Sequence, residues 1–523
     1  MNGNRPKILW ADDEIDLLKP HIMFLESKGY DVTTANSGVD ALHSIEKSPF
    51  DLVILDENMP GITGLETLAR IKVEKPHIPV IMITKSEEEN IMDQAVGSKI
   101  ADYLIKPVNP NQILLSIKKT LHSSALVARQ SLNSYRDDFS RISTLTYSAD
   151  SFADWCELYQ KLVFRQTELE APGAEAEMAE MLQSQINEAN RSFAKFIEKN
   201  YSSWIAKPET APLMSHRLMQ ERVLPLLDNG KKVWLIVVDN FRYDQWVAVS
   251  SMLGDSFNIQ SDLYCSILPT ATQYCRNALF SGLLPVQIAK TYPALWVDED
   301  SEEGKNLNEA PLIEGFMQRM KRDYRCSYSK LNDSESCSRM VARLSEFKDC
   351  NLNAVVVNFI DMLSHARTES KAVRELASTD AAYRSITGSW FLHSPLSNLF
   401  KAIADTGDTV VLTTDHGTIR VENPVKVAAE RDINSNLRYK VGRNLGVNPS
   451  KVLEVKNAPD FGLPSPGISS SYIFARGRDF FAYPTNFNKY AQHYHDTFQH
   501  GGISMQEMLV PVATLVSKYQ TNK

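Results

Sequence analysis

The sequence predicts an α/β protein in three parts: a five-strand doubly wound unit, a helical-bundle connector and a larger C-terminal α/β domain. Three observations carry this expectation. Five short apolar runs alternate with helix-like segments through residues 6–120. Apolar residues then recur at three- and four-residue spacing from about 121 to 225. From 230 onward, apolar runs return, and three of them close at Asp239, Asp361 and Asp415-His416. The expected boundaries are 1–122, 123–225 and 226–520.

The first unit reads strand by strand as PKILWADD, YDVTTAN, FDLVILD, PVIMIT and DYLIKP. Strict alternation of strand and helix implies a parallel sheet with its chemistry at the carboxyl ends of the strands. The polar residues fall there: Asp12 and Asp13 after the first strand, Asp56 at the third, Thr84 at the fourth, and Lys106 before Pro107 at the fifth. Close carboxylates can hold Mg²⁺ through oxygen, while Lys106 offsets phosphoryl charge and Thr84 donates a hydrogen bond to it. Singly, Asp12 and Asp13 could cap a helix and Lys106 could be a solvated strand end; five in register read as a phospho-accepting pocket. The stretch resembles the receiver domain of bacterial response regulators. That resemblance implies Asp56 as phosphoacceptor, Asp13, Asp56 and the carbonyl of Asn58 as Mg²⁺ ligands beside Asp12, Thr84 and Tyr103 as switch residues, and a sensor histidine kinase as phosphodonor. No basic helix-turn-helix follows, so the output is expected to be something other than DNA reading.

The connector carries SFADWCELYQKLVFRQTEL and EMAEMLQSQINEANRSFAKFIEKNY, punctuated by Ala171-Pro172-Gly173 and by Lys207-Pro208. About three antiparallel helices fit. Trp155, Phe164, Phe193, Phe196 and Trp204 are expected in its core rather than on a binding face.

In the C-terminal domain VWLIVVD is a buried strand ending at Asp239. CSILPTATQYCRNALFSG places Thr272 between a Pro-containing turn and a helix start, where free N–H groups favour phosphate and a metal-activated hydroxyl could attack phosphorus. NAVVVNFID reads as a strand to Asp361, with His365 one helical turn on. DTVVLTTDHG ends in Asp415 and His416 beside Gly417, read as a tight-turn glycine, and His500 precedes Gly501 and Gly502 before a last strand region. A lone histidine or an Asp-His-Gly turn is usually structural; the shared order and placement point to metal sites.

These motifs resemble the alkaline phosphatase superfamily and, within it, the PglZ group, over about 230–520. The resemblance implies two zinc ions, one held by Asp239, Thr272, Asp415 and His416, the other by Asp361, His365 and His500, with Thr272 as nucleophile. Thr270 is the rival in the same turn, and the superfamily's phosphodiesterase pattern favours the second threonine. His493 and His495 are given at most outer roles, and Arg242, Asn358, Arg276 and Asn277 are candidate substrate contacts among which spacing does not choose.

Two metal ions suit in-line displacement at phosphorus. Without a clear motif for an extra arginine or third metal, a phosphodiester is the favoured substrate class, nucleotide-type included. The combination of receiver and PglZ-like domains resembles response regulators of the type IX secretion system, which implies a sigma factor and secretion-machinery components as partners. Phosphorylation is expected to promote a homodimer. The alternative is a signalling scaffold binding such partners with weak or no hydrolase activity.

Composition bounds the rest. With 43% hydrophobic and 9% aromatic residues in 523, the chain is ordinary for globular protein. Its net charge of −8 argues against an unspecific nucleic-acid coat. Six cysteines without a CxxC pair support neither a disulfide framework nor a thiolate zinc site. The start MNGNRPKILWADDE lacks a signal pattern, and no apolar run reaches the ~20 residues of a membrane span, so a cytoplasmic location is expected.

Overall fold

The computed structural model describes residues 5–75, 78–84, 100–169, 176–297, 306–428, 434–465, 467 and 469–519. Two compact units emerge, one of 1–137 with 168–178, the other of 138–167 with 179–523.

The first unit is built on β1 (Lys7–Ala11), β2 (Asp31–Ala35), β3 (Leu52–Asp56), β4 (Val80–Thr84) and β5 (Asp102–Ile105), in the order β2-β1-β3-β4-β5. Every pair is parallel. Side chains alternate between faces, so Leu9, Val53, Leu55 and Met82 fill one core while Ile8, Trp10, Ile54 and Ile83 fill the other. Both faces are covered, which is why β3 and β4 read as unbroken apolar runs. The fold puts Asp12, Asp56 and Thr84 at one edge.

The connector segments form the helices Phe152–Leu169 and Ala176–Ala206, preceded by a helix Pro110–Ser148 that runs straight past the expected boundary at 122. The break at Ala171-Pro172-Gly173 lies outside the described residues. Trp155, Phe193, Phe196 and Trp204 pack edge-on or tilted in one aromatic cluster. Phe164 does not join them: it is 56% exposed, because its helix turns that position to solvent.

The second unit is organised by a six-stranded sheet. Its strands are β6 (Val233–Val238), β7 (Phe257–Cys265), β8 (Cys326–Leu331), β9 (Leu352–Val357), β10 (Thr409–Thr413) and β11 (Leu509–Ser517), in the order β7-β11-β10-β6-β9-β8. β8, β9, β6 and β10 are mutually parallel, and β11 runs antiparallel to both β10 and β7. Ile236, Val355 and Leu412 face one core while Leu235, Val356 and Val411 face the other. At ~1.5–3 kcal/mol for each large aliphatic side chain withdrawn from water, these two faces supply the main driving force for the domain. The carboxyl ends of β6, β7, β9 and β10 and the start of β11 therefore share one edge, and the polar segments that follow or precede them meet there.

The strand expected to run to Asp361 stops at Val357, and a helix Phe359–Glu369 begins. Asp361 thus sits in the first helical turn, with His365 one turn further on. The segment ISMQEM ahead of β11 is partly helical, Met505–Met508, rather than strand. All six cysteines are free thiols. Among the described residues no helix is long and apolar enough to cross a membrane.

Candidate functional sites

At the receiver edge, carboxylate oxygens of Asp12, Asp13 and Asp56 lie within 4.8 Å of one another. Asp12 and Asp56 are buried and Asp13 is exposed. Lys106 Nζ donates to Asp12 Oδ2 at 2.8 Å and lies 3.0 Å from Asp56 Oδ1. Burial pushes the Asp56 carboxyl up, helped by the charges of Asp12 and Asp13 and opposed by Lys106. Burial works against the Lys106 ammonium, yet its pairing with both carboxylates holds it above its ordinary value. Thr84 is buried at the end of β4 and shares a side-chain hydrogen bond with Tyr103. Asn58 is exposed two residues past Asp56. One participant was not read from the sequence: Glu57, buried beside Asp56, accepts from Leu65 N at 2.9 Å. A Cβ on Gly64 would meet the Asp56 carbonyl and Glu57, so this loop closes only over glycine.

At the edge of the larger sheet the seven residues singled out fall into two groups, Asp239 with Asp415 and His416, and Asp361 with His365 and His500. The ligand atoms within each lie within 4.8 Å of one another. Asp239, Asp415 and His416 are all buried, whereas His365 is 66% exposed at the mouth. The His416 and His500 rings stack at 4.3 Å, so the groups are neighbours. Each ring spends its Nδ1–H on a backbone carbonyl, His416 on Gly417 O and His500 on Thr270 O, both at 3.1 Å. This tautomer, assigned from the hydrogen-bond network, leaves both Nε2 lone pairs facing the site.

Thr272 opens the helix Thr272–Ser281, which no side chain caps; Tyr274 N and Cys275 N donate to Ala271 O, each at 2.9 Å, so the N–H groups of Thr272 and Gln273 are the ones offered to an anion. Its hydroxyl lies 3.1 Å from His416 Nε2 and, given the tautomer, donates to it. Thr270 is occupied otherwise. It donates to Gly502 O at 2.9 Å and accepts from Gly501 N at 3.0 Å, fully buried.

Burial raises Asp239 well above the carboxylate range, opposed by Arg276 and reinforced by the charges of Asp415 and Asp361. Burial also works on Asp415 and Asp361, but Arg276 and His416 bring the first below its ordinary value, and His365 and His500 the second. Burial and the neighbouring His416 lower His500 to about 3, so it is a neutral imidazole at physiological pH. Asp239 Oδ1 is buried without a hydrogen bond. Three carboxylates, imidazole Nε2 atoms turned toward the site and a carboxylate oxygen without a hydrogen bond together fit divalent metal ions of the zinc type.

Asn240, unremarked in the sequence, links the groups. With φ of 61°, it donates from its backbone N to Asp415 Oδ1 at 3.3 Å and from Nδ2 to Asp361 Oδ1 at 3.1 Å. The candidate substrate contacts fare differently. Arg276 is buried and ion-paired to Asp239 and, at 3.0 Å, to Asp415. Arg242 is buried and paired to Asp244 and Asp380, each at 2.6 Å. Asn358 Nδ2 donates to Asn332 Oδ1 at 2.6 Å, and Asn277 is buried within its helix. His493 and His495 are exposed and lie in neither group; His495 pairs with Asp496 at 3.0 Å. Gly417 is needed for close approach rather than for a left-handed turn, since a Cβ would collide with the Gln506 carbonyl.

An acidic pocket closed by Lys106 on a five-stranded parallel sheet and a paired Asp/His site on a larger α/β sheet are the arrangement of a receiver joined to an alkaline-phosphatase-like domain. Residues 218–515 match the BREX system PglZ alkaline phosphatase-like domain, and the chain belongs to that family. Residues 8–118 match the response regulator receiver domain and 125–205 the PorX response regulator linker domain. Curated relatives match over the receiver. The alginate biosynthesis transcriptional regulatory protein AlgB of Pseudomonas putida is 35% identical over 126 residues, 24% of this chain and 28% of that one. The alkaline phosphatase synthesis transcriptional regulatory protein PhoP of Bacillus subtilis is 34% identical over 127 residues, 24% of this chain and 52% of that one. The chain thus spans from about a quarter to half the length of these relatives. Among solved structures, a CheY-like receiver domain protein from Methanospirillum hungatei JF-1 is similar at 29% identity, covering 23% of this chain and 96% of that one, with a TM-score of 0.23.

Proposed function

We propose that the protein is a two-component response regulator, phosphorylated on Asp56 by a sensor histidine kinase, that controls a metal-dependent phosphodiesterase in its PglZ domain. The observation that carries the enzymatic reading is Thr272, at a helix start that no side chain caps and hydrogen-bonded to His416 of the first Asp/His group. Thr270, with its hydroxyl spent on Gly501 and Gly502, is unfit for the same role.

Asp239, Thr272, Asp415 and His416 would hold one zinc ion and Asp361, His365 and His500 the other. Bound there, the metals would supply Lewis acidity and lower the pKa of a hydroxyl. In the reaction, Thr272 Oγ1 attacks the phosphorus of a phosphate diester, the P–O bond to one alcohol breaks and that alcohol leaves with the hydroxyl proton, giving a phosphothreonine; water then attacks phosphorus, the Thr272 Oγ1–P bond breaks with a proton returned to Oγ1, and a phosphate monoester is released. The N–H groups of the Thr272–Ser281 helix steady the phosphoryl oxygens. Asn240 holds Asp361 and Asp415 in mutual register. Arg242 and Arg276 are both committed to buried carboxylates, which leaves neither to clamp the extra charge of a monoester and favours a diester, nucleotide-type included.

In the receiver, Asp13, Asp56 and the Asn58 carbonyl would hold Mg²⁺ beside Asp12, and Thr84 and Tyr103 would shift on phosphorylation to promote a homodimer. The linker match supports a place in type IX secretion, with a sigma factor and secretion-machinery components as partners. The domain limits 1–122, 123–225 and 226–520 belong to this reading.

The test is zinc analysis of the purified protein together with turnover of a diester and monoester panel by wild type and Thr272→Ala. Two zinc ions and diester hydrolysis lost in the variant are expected. A protein without zinc and without Thr272-dependent turnover would sink the proposal.

A further inference from the structure

The connector helix Ala176–Ala206 reaches the metal-site loops through two side chains, Tyr201 and Asn190. Tyr201 is fully buried, and its hydroxyl accepts from Leu268 N at 2.8 Å. Leu268 opens the turn that runs through Pro269 and Thr270 to Thr272. Asn190, 1% exposed, accepts from Met505 N at 2.8 Å and donates to Gln506 Oε1 at 3.0 Å. The next residue, Glu507, is fully buried and accepts from Gly502 N at 2.9 Å, while its own carbonyl accepts from Gly417 N at 3.1 Å. Asn190 therefore holds the segment that fixes the backbone beside His500 and His416.

We propose that Asn190 and Tyr201 are positioning residues of the metal site, so that the connector helix is a structural part of the hydrolase and sets the spacing between the nucleophile turn and the His500 loop. Tyr201 lies eleven positions after Asn190 in the sequence, which is about three helical turns and ~16 Å, so both point from one face of one rigid rod. Their partners are backbone amides and a single amide side chain, which tolerate little displacement before the bond is lost. The two loops meet at Thr270, whose carbonyl takes the His500 Nδ1–H and whose hydroxyl binds Gly501 and Gly502. A change in the seat of this helix is felt by both halves of the site together. The inference rests on the metal-site reading above.

The test uses the full chain carrying Tyr201→Phe, Asn190→Ala or, as control, Arg191→Ala, whose side chain is 74% exposed and paired with Glu188. Tyr201→Phe removes one oxygen and keeps the ring stacked on Phe461 at 4.9 Å, so lost packing cannot explain its effect. With bis(p-nitrophenyl) phosphate, Tyr201→Phe is expected to lower kcat about ten- to a hundredfold with KM within about twofold and zinc content unchanged. Asn190→Ala is expected to release zinc to a chelator several-fold faster. Arg191→Ala behaves as wild type. Wild-type kcat and zinc release in both variants, or equal losses in Arg191→Ala, would overturn the inference. Bound zinc without Thr272-dependent turnover defeats the proposed hydrolase instead, and zinc release then decides this point alone; a wild type that takes up no zinc removes both.

Discussion

At the scale of single residues, buried charge decides what can be changed. Arg438 and Glu507 are both fully buried and pair at 2.7 Å, and Ser504 Oγ donates to the same carboxylate at 2.6 Å. Glu507→Leu strands the Arg438 guanidinium, a loss of about 3–5 kcal/mol that urea unfolding of the domain would register. His216 offers a pH handle. Burial, aided by the charge of Arg217, lowers it from 6.5 to about 4, so the fold holds it neutral. Its depressed pKa means that its contribution to stability is fully present above pH 6.5 and is lost as pH falls from 6.5 toward 4. His216→Gln is expected to flatten the fall in melting temperature across that window; an unchanged slope in paired melting curves would contradict the assignment.

At the scale of elements, Gly417→Ala should misplace the Asp415-His416 turn against Gln506, lowering metal content and turnover together by tenfold or more while the sheet still melts cooperatively. Ile236, fully buried in β6, is the contrasting case. Ile236→Ala should cost about 2–5 kcal/mol of stability and leave KM untouched in the folded fraction. The elements also show what could be read in advance. Asp239, Asp415 and His416 were visible because a carboxylate or imidazole closing an apolar strand needs a partner. Asp361 and His365 were visible by spacing, though an apolar run alone could not mark the strand-to-helix change at Asn358. Phe164 was misread because helical spacing does not say which aromatic faces outward. Asn190, Tyr201, Asn240 and Glu507 left no sequence signal. Their partners are mostly backbone amides or carboxylates from distant segments, and only the folded topology brings those together.

At the scale of the whole molecule, zinc held as proposed would tie the site to stability by mass action. Chelation should then lower the stability of the C-terminal domain, and with it the melting temperature, and zinc should restore about 2.7 kcal/mol when free metal stands a hundredfold above its dissociation constant. Scanning calorimetry with and without chelator checks this, and coincident curves would argue against structural use of the ions. The strand order carries a consequence for biosynthesis. β11, the last strand of the sheet to leave the ribosome, is not an edge strand: it lies between β7 and β10. Until it arrives, β7 has no place in the sheet and β10 presents an open edge to other chains. A nascent chain halted before Leu509 is therefore expected to be a chaperone client that aggregates, with the sheet edge that gathers Asp239, Asp415 and His416 still incomplete.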